Sequence, residues 1–315
     1  MDYVDAAQKG SSTVLYGVRY FQLAQTLDCG QAFRWHESRV GEFSGIAHGR
    51  RLNLFLNGDE LTLEDVSLDE FEQIWKKYFG FDYDYHWLRA VLSKTQQGVL
   101  TPRQSFALQN FATPLEKGVT PPSQTNNLIG GVILKEALDF SPGLRLLRQD
   151  TWEILVSFIL SQNSNIPRIK QMIERLCKSF GEKLPCGGYA FPAPKIIAEL
   201  DESALAPIKC GYRAQYILDA ARRVADGRFN MSYLEKLPSD EVFTELLKIH
   251  GVGPKVAECV LLYGFGRVER YPVDVWIKRV MAKYFPDNFP DEIKEFSGIA
   301  QQFLFHYIRT ALHNR

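Results

Sequence analysis

Lys255 and Asp274 stand 19 positions apart in a chain of 315 residues. The first lies in Ile249-His-Gly-Val-Gly-Pro-Lys255-Val-Ala-Glu-Cys259 and the second in Tyr271-Pro-Val-Asp274-Val-Trp. Gly251 and Gly253 flank a single apolar residue, a pattern that makes a tight turn whose backbone N–H groups can face an anion. A helix beginning at Pro254 or Lys255 sets its positive end beside that anion and beside the lysine. A positive potential disfavours ammonium and so favours the neutral, nucleophilic amine. A carboxylate opening the next helix can stabilise positive charge that develops on a sugar. Plainer uses exist for each piece: a Gly-Val-Gly turn often only reverses the chain, and Asp274 before Val-Trp-Ile is a ready N-cap. Together they set an amine and a carboxylate at the starts of two successive helices, where one site can hold both.

The elements that must position this pair divide the chain. From Val14 to about Val66 apolar residues alternate or bunch in Gln31-Ala-Phe-Arg-Trp-His, Glu42-Phe-Ser-Gly-Ile-Ala-His and Arg51-Leu-Asn-Leu-Phe-Leu, with turn residues at Gly30, Gly41, Gly49 and Asn57-Gly58. Such close spacing predicts an antiparallel sheet. From Ser67, Leu68, Phe71, Ile74, Trp75 and Tyr78 follow helical periodicity. Residues 93–131 are rich in Gln, Thr, Ser, Pro and Gly, and read as an inserted loop or flexible linker with at most one short helix near Arg103–Phe111. Beyond it, helices are predicted at Thr151–Gln162, Ile166–Phe180, Arg213–Ala225, Ser239–Ile249, Lys255–Tyr263, Val275–Tyr284 and roughly Glu295–Leu312. The expected class is therefore α+β: an N-terminal antiparallel sheet domain with flanking helices over 1–92, the segment 93–131, and an all-helical domain over 132–315 whose hairpin occupies about 239–264.

Composition narrows the setting. A 45% hydrophobic chain with 13% aromatic residues supports an ample core. No run approaches the roughly 18 apolar residues of a membrane span, and the acidic start Met1-Asp-Tyr-Val-Asp does not resemble a secretory signal. The five cysteines are scattered, with no zinc-type spacing, so neither a metal nor a disulfide framework is expected. The expectation is a monomer in the cytoplasm without a cofactor. Basic and acidic residues balance at 37 each, but residues 1–150 hold 15 basic against 18 acidic, leaving 22 against 19 in the second half. Contact with a polyanion is thus expected to be local and to come from the second half.

Three further clusters invite chemistry. Cys259 follows Lys255 by four residues and shares its helix face, where it either lines the same pocket or packs as a small core residue. Ser161-Gln-Asn163-Ser-Asn165-Ile-Pro-Arg168 is either a polar turn between helices or a set of donors and acceptors, Asn163 and Arg168 foremost, for bases exposed when one nucleotide leaves the stack. Cys210-Gly-Tyr212-Arg213 sets an aromatic and an arginine at a helix start. They serve either as a wedge and a base-reading fork, or as a helix staple and a solvated charge.

These stretches, with Cys29-Gly-Gln-Ala-Phe-Arg-Trp35, Leu146-Leu-Arg-Gln-Asp150, Pro272-Val-Asp274 and Gly298-Ile-Ala-Gln301-Gln-Phe-Leu-Phe305, resemble one family closely: the 8-oxoguanine DNA glycosylase/AP lyases of the helix-hairpin-helix superfamily. The resemblance runs from about Val14 to the C-terminus, excepting 93–131. It implies that Lys255 attacks C1′ of a damaged nucleotide in duplex DNA and forms a Schiff base that permits β-elimination, with Asp274 supporting charge on the sugar. It implies that the Gly30 carbonyl accepts the N7–H of 8-oxoguanine, that Phe305 and Cys259 sandwich the flipped base, and that Gln301 reads its Watson–Crick edge. By the same resemblance Asn163, Arg168 and Arg213 hold the estranged cytosine, Tyr212 is the wedge, and Gly251, Gly253 and Val256 give N–H groups to phosphate. Trp276 departs from the animal pattern, which places a phosphate-contacting histidine there, and follows the bacterial one.

Two other readings compete. One is a glycosylase for another damaged base on the same scaffold. Alkylation enzymes generally lack the lysine, and the iron–sulfur relatives need cysteines that do not follow Cys259 here. The other is a noncatalytic hairpin that only grips the DNA backbone, which requires neither Lys255 nor Asp274.

Overall fold

A computed structural model describes residues 2–93, 123–185 and 187–312, with only the backbone described over 123–129 and at 312. The short helix expected near Arg103–Phe111, and most of the expected linker, lie outside them.

Six strands form one antiparallel sheet in the order β1-β2-β6-β5-β4-β3. They are β1 Asp5–Lys9, β2 Ser12–Tyr16, β3 Trp35–Arg39, β4 Glu42–Ala47, β5 Arg50–Asn57 and β6 Glu60–Leu63. Two-residue turns set the registers, pairing Lys9 with Ser12, Ala47 with Arg50 and Asn57 with Glu60. The sheet thus begins before Val14, where its onset was expected. Asp5-Ala-Ala-Gln-Lys carries no β-branched alternation and is a largely exposed edge strand held by its pairing to β2. Gln31–Arg34 is the opposite case. Its apolar pattern predicts strand, yet β3 starts only at Trp35; helix α1, Leu23–Leu27, is followed by a loop through Gly30.

A helical run over 68–78 backs the sheet, its centre widened to a π-type turn at Phe71–Trp75. Phe71, Trp75, Phe79 and Phe81 pack there with Leu15, Leu52, Leu54 and Leu61 as one core. The second core belongs to the helices: α2 Tyr85–Ser93, α3 Ser123–Phe140, α4 Thr151–Ser161, α5 Ile166–Phe180, α6 Arg213–Ala225, α7 Ser239–Leu247, α8 Pro254–Tyr263, α9 Val275–Tyr284 and α10 Ser297–Tyr307. Asp150 caps α4 by accepting from Glu153 N at 2.8 Å, and Asn165 caps α5 from Arg168 N at 3.0 Å.

Helix α3 corrects the expected linker, because it takes in residues 123–131 as regular helix. Gly130-Gly131, expected to break any element, lies inside it. A Cβ on Gly130 would stand 2.5 Å from the Phe285 ring and 2.7 Å from the Tyr284 carbonyl. The glycine therefore permits close packing of α3 on the end of α9.

The two cores are stitched by the extended segment 144–149. Arg145 is fully buried and ion-pairs with the buried Asp2 at 2.8 Å, donates to the Phe79 carbonyl at 3.0 Å and lies 4.1 Å from the Tyr85 ring centre. Leu147 packs in the sheet core, whereas Phe33 and Cys29 pack with the helices.

Candidate active site

Lys255 sits in the first turn of α8, directly after the hairpin turn that joins it to α7. Gly251 in that turn has φ of +81°, and a Cβ there would meet the Tyr216 ring at 2.2 Å, so the turn seats on α6 only with glycine. Two further bonds hold it: His250 N donates to Asp219 Oδ2 at 2.8 Å, and Gln162 Nε2 donates to the Gly251 carbonyl at 3.0 Å. Gly253 is the N-cap of α8 and has nothing within 4 Å of a Cβ position. As N-cap, glycine offers no side-chain oxygen to the first-turn N–H groups, that of Val256 included.

Asp274 does serve as an N-cap. Its Oδ1 accepts from Trp276 N at 3.0 Å and Ile277 N at 2.8 Å, fixing the carboxyl at the start of α9. These bonds use one oxygen, and the side chain also lines the cavity that Lys255 enters. Cap and site residue are here the same group.

That cavity is about 410 Å³, within the usual range for small-ligand sites. Gly30, Lys255, Cys259, Asp274, Gln301 and Phe305 all line it, so residues from four separate stretches converge. Phe158 forms part of its wall, with Lys255 Nζ 5.0 Å from the ring centre. Burial pushes the Cys259 thiol up to about 11, against the lowering pull of nearby Lys255. A thiol so raised stays protonated near neutral pH.

Gly30 reaches the cavity because its neighbour is tied down. Gln31 is fully buried; its Nε2 donates to the Thr26 carbonyl at 2.8 Å and the Arg145 carbonyl at 2.7 Å, and its Oε1 accepts from Leu147 N at 2.9 Å. On the other side Gln302 Nε2 contacts Cys29 Sγ at 3.2 Å while its Oε1 accepts from Tyr263 OH at 2.6 Å. The Gly30 loop is thereby fixed to α8 and α10 together.

Asn163, Arg168, Tyr212, Arg213, Gly251, Gly253 and Val256 do not line the cavity. Asn163, Arg168 and Tyr212 are exposed, and Asn163 has φ of +47°. Arg213 is buried rather than a solvated charge. It donates through Nε to the Gln162 carbonyl at 2.9 Å and through Nη2 to the Asn163 carbonyl at 3.1 Å, and its guanidinium lies 4.7 Å from the Tyr212 ring centre. It thus braces the turn that carries Asn163.

Sequence reasoning missed Phe158, Ser164 and Arg309, which also line the cavity. Phe158 is hidden in a uniformly apolar helix, and Arg309 in an unremarkable Ile-Arg-Thr-Ala run. A larger cleft of about 540 Å³ lies between the sheet and α5, but neither Lys255 nor Asp274 lines it. No described helix is long and apolar enough to cross a membrane. The four described cysteines are free and buried.

Comparison with known proteins matches this arrangement in two consecutive parts. Residues 13–155 match the family described as 8-oxoguanine DNA glycosylase, N-terminal domain, and residues 156–297 match the HhH-GPD superfamily of base excision DNA repair proteins. A probable N-glycosylase/DNA lyase of Methanothermobacter thermautotrophicus is 32% identical over 209 residues, 56% of this chain and 67% of that protein. An N-glycosylase/DNA lyase of Saccharomyces cerevisiae is 35% identical over 153 residues, 44% of this chain and 41% of that protein. Among solved structures, a Clostridium acetobutylicum 8-oxoguanine glycosylase/lyase bound to double-stranded DNA with cytosine opposite 8-oxoG superposes with a TM-score of 0.79 at 31% identity, covering 98% of this chain and 99% of that one.

Proposed function

The chain belongs to the 8-oxoguanine DNA glycosylase/lyase family of the HhH-GPD superfamily, and from that premise we propose that it excises 8-oxoguanine opposite cytosine and then cleaves the strand. The observation that carries this reading is the convergence of Lys255, Asp274, Gly30, Cys259, Gln301 and Phe305 on one cavity beside a glycine-capped hairpin helix.

The damaged nucleotide leaves the stack and its base enters the cavity. The Lys255 amine bonds to C1′ as the C1′–N9 bond breaks, and the base departs with that electron pair and a proton. The Asp274 carboxylate stabilises the positive charge that builds on the sugar. Opening of the sugar ring gives a Schiff base between Nζ and C1′. Loss of a C2′ proton then expels the 3′ oxygen, which breaks the strand by β-elimination, and water releases the lysine.

Base reading follows the pocket walls. The Gly30 carbonyl accepts the N7–H that 8-oxoguanine has and guanine lacks. Gln301 meets the Watson–Crick edge, while Phe305 and Cys259 cover the two faces. Gln301 Oε1 is buried without a partner among the described residues, which suits it to accept from a base. Tyr212 fills the gap in the stack. Asn163 and Arg168 meet the estranged cytosine, with Arg213 supporting them. The N–H groups of Gly251, Gly253 and Val256 grip a phosphate.

A single-turnover panel tests the assignment with duplexes bearing 8-oxoguanine opposite each base, an adenine mismatch, or an alkylated purine. Fastest release of 8-oxoguanine opposite cytosine is expected. Faster release of any other base, or DNA binding with no release, contradicts it.

A further inference from the structure

Three buried side-chain atoms without a hydrogen-bond partner among the described residues belong to residues of this one cavity: Ser164 Oγ, Gln301 Oε1 and Arg309 Nη1. Gln301 already has a role. Arg309 does not. A buried guanidinium N–H left without an acceptor carries the desolvation cost of a charged donor. Such a group is retained where a ligand brings the acceptor.

Its place in the wall is specific. Arg309 follows Phe305 by four residues, in the π-type extension Ile308–Leu312 of α10, and its guanidinium carbon lies 5.9 Å from the Phe305 ring centre. Nη1 stands 3.0 Å from where a Cβ on Gly30 would be, beside Ile166 Cδ1 at 3.0 Å and Phe305 Cε1 at 3.4 Å. The orphan donor is therefore set where the Gly30 loop and the Phe305 ring meet, on the wall that Gly30 offers to a base.

The two orphan groups are chemically complementary. Gln301 Oε1 only accepts, and an arginine N–H only donates. A base that satisfies both presents N–H donors on one edge and a carbonyl oxygen on another. Guanine oxidised at C8 does so, with N1–H and the N2 amino group against O6 and O8. We infer that Arg309 is a specificity-determining residue whose Nη1–H donates to a carbonyl oxygen of the flipped purine beside N7, the position that Gly30 addresses. The inference rests on the base-excision reading above. It adds an energetic gate to that reading, because a purine without a carbonyl there buries the guanidinium unpaired and is rejected.

The test separates the base pocket from the lyase centre. An abasic site carries no base, so a base-reading residue does not touch its cleavage. Arg309→Ala and Arg309→Lys in the full chain are compared with wild type for single-turnover release of 8-oxoguanine, for strand cleavage at a preformed abasic site, and for melting temperature. Loss of a charge-assisted hydrogen bond predicts release slowed about 10- to 100-fold in Arg309→Ala. Abasic cleavage is expected within twofold of wild type, and Arg309→Lys to recover part of the loss. Unchanged release in Arg309→Ala overturns the inference. So does an equal fall of both activities with the melting temperature, which marks a structural residue. A wild-type chain that cleaves abasic sites but releases no 8-oxoguanine overturns the preceding reading itself, whatever the variants do.

Discussion

The Nζ of Lys255 rests 5.0 Å from the centre of the Phe158 ring. That ring is buried, stacked on Tyr263 at 5.4 Å and edge-on to Phe33 at 5.7 Å. The lysine thus emerges from the hairpin onto a fixed aromatic wall. Such a face attracts cationic centres, among them a protonated Schiff base. Phe158→Leu keeps an apolar wall without the π face and is expected to slow formation of the covalent intermediate about 2- to 10-fold. Rapid-quench measurement of that step checks it, and an unchanged rate contradicts the role given to the ring.

Asp274 is a helix cap and, in the proposed function, a charge stabiliser, and two substitutions separate these. Asn also accepts backbone N–H groups at an N-cap, so Asp274→Asn is expected to melt close to wild type while base release slows by about two to three orders of magnitude. Asp274→Ala is expected to lose in addition about 1 kcal/mol of stability. Equal single-turnover rates in Asp274→Asn and wild type refute the electrostatic role.

Arg213 reaches inward to the Gln162 and Asn163 carbonyls, so its removal acts through the turn. Arg213→Ala is expected to cost roughly 2–3 kcal/mol of stability and to flatten the preference for cytosine opposite the lesion. Arg213→Lys does not rescue the preference, because one ammonium cannot reproduce the planar fork. Denaturation and an opposite-base profile test both parts, and an unchanged profile in Arg213→Ala excludes the bracing role.

Glu153 gives a pH signature. Burial raises its carboxyl to about 7, opposed by Arg34 at 3.4 Å. The folded state therefore binds this proton more tightly than the unfolded state. The group's contribution to stability is full below its ordinary value of 4.5 and is lost as pH rises towards 7. Glu153→Gln cannot ionise, so its melting temperature relative to wild type is expected to climb between about pH 4.5 and 7. A flat difference across that window contradicts the assignment.

What the sequence made legible was chiefly what local chemistry encodes. Asp150, Asn165 and Asp274 announce helix starts by side-chain capping, Gly251 and Gly253 announce the hairpin, and two-residue turns set the sheet. The failures share one cause, which is that tertiary packing overrides a local signal. Gly130 reads as a break and is a contact point for Phe285. Gln31 reads as strand and is a buried tie between Thr26, Arg145 and Leu147. Arg213 reads as a base-contacting fork or a solvated charge, and its guanidinium points inward to the Gln162 and Asn163 carbonyls. Gly30 and Gln301 could be placed in the site only through family resemblance, since 271 positions separate them and no local pattern links them.

Covalent capture decides whether Lys255 is the nucleophile proposed for this site. The full chain is incubated with a duplex bearing 8-oxoguanine opposite cytosine in the presence of borohydride, alongside Lys255→Gln. A reduced protein–DNA adduct with wild type, its absence with Lys255→Gln, and DNA binding by both are the predicted result. An adduct that survives in Lys255→Gln, or a wild type that binds the duplex and forms none, contradicts it.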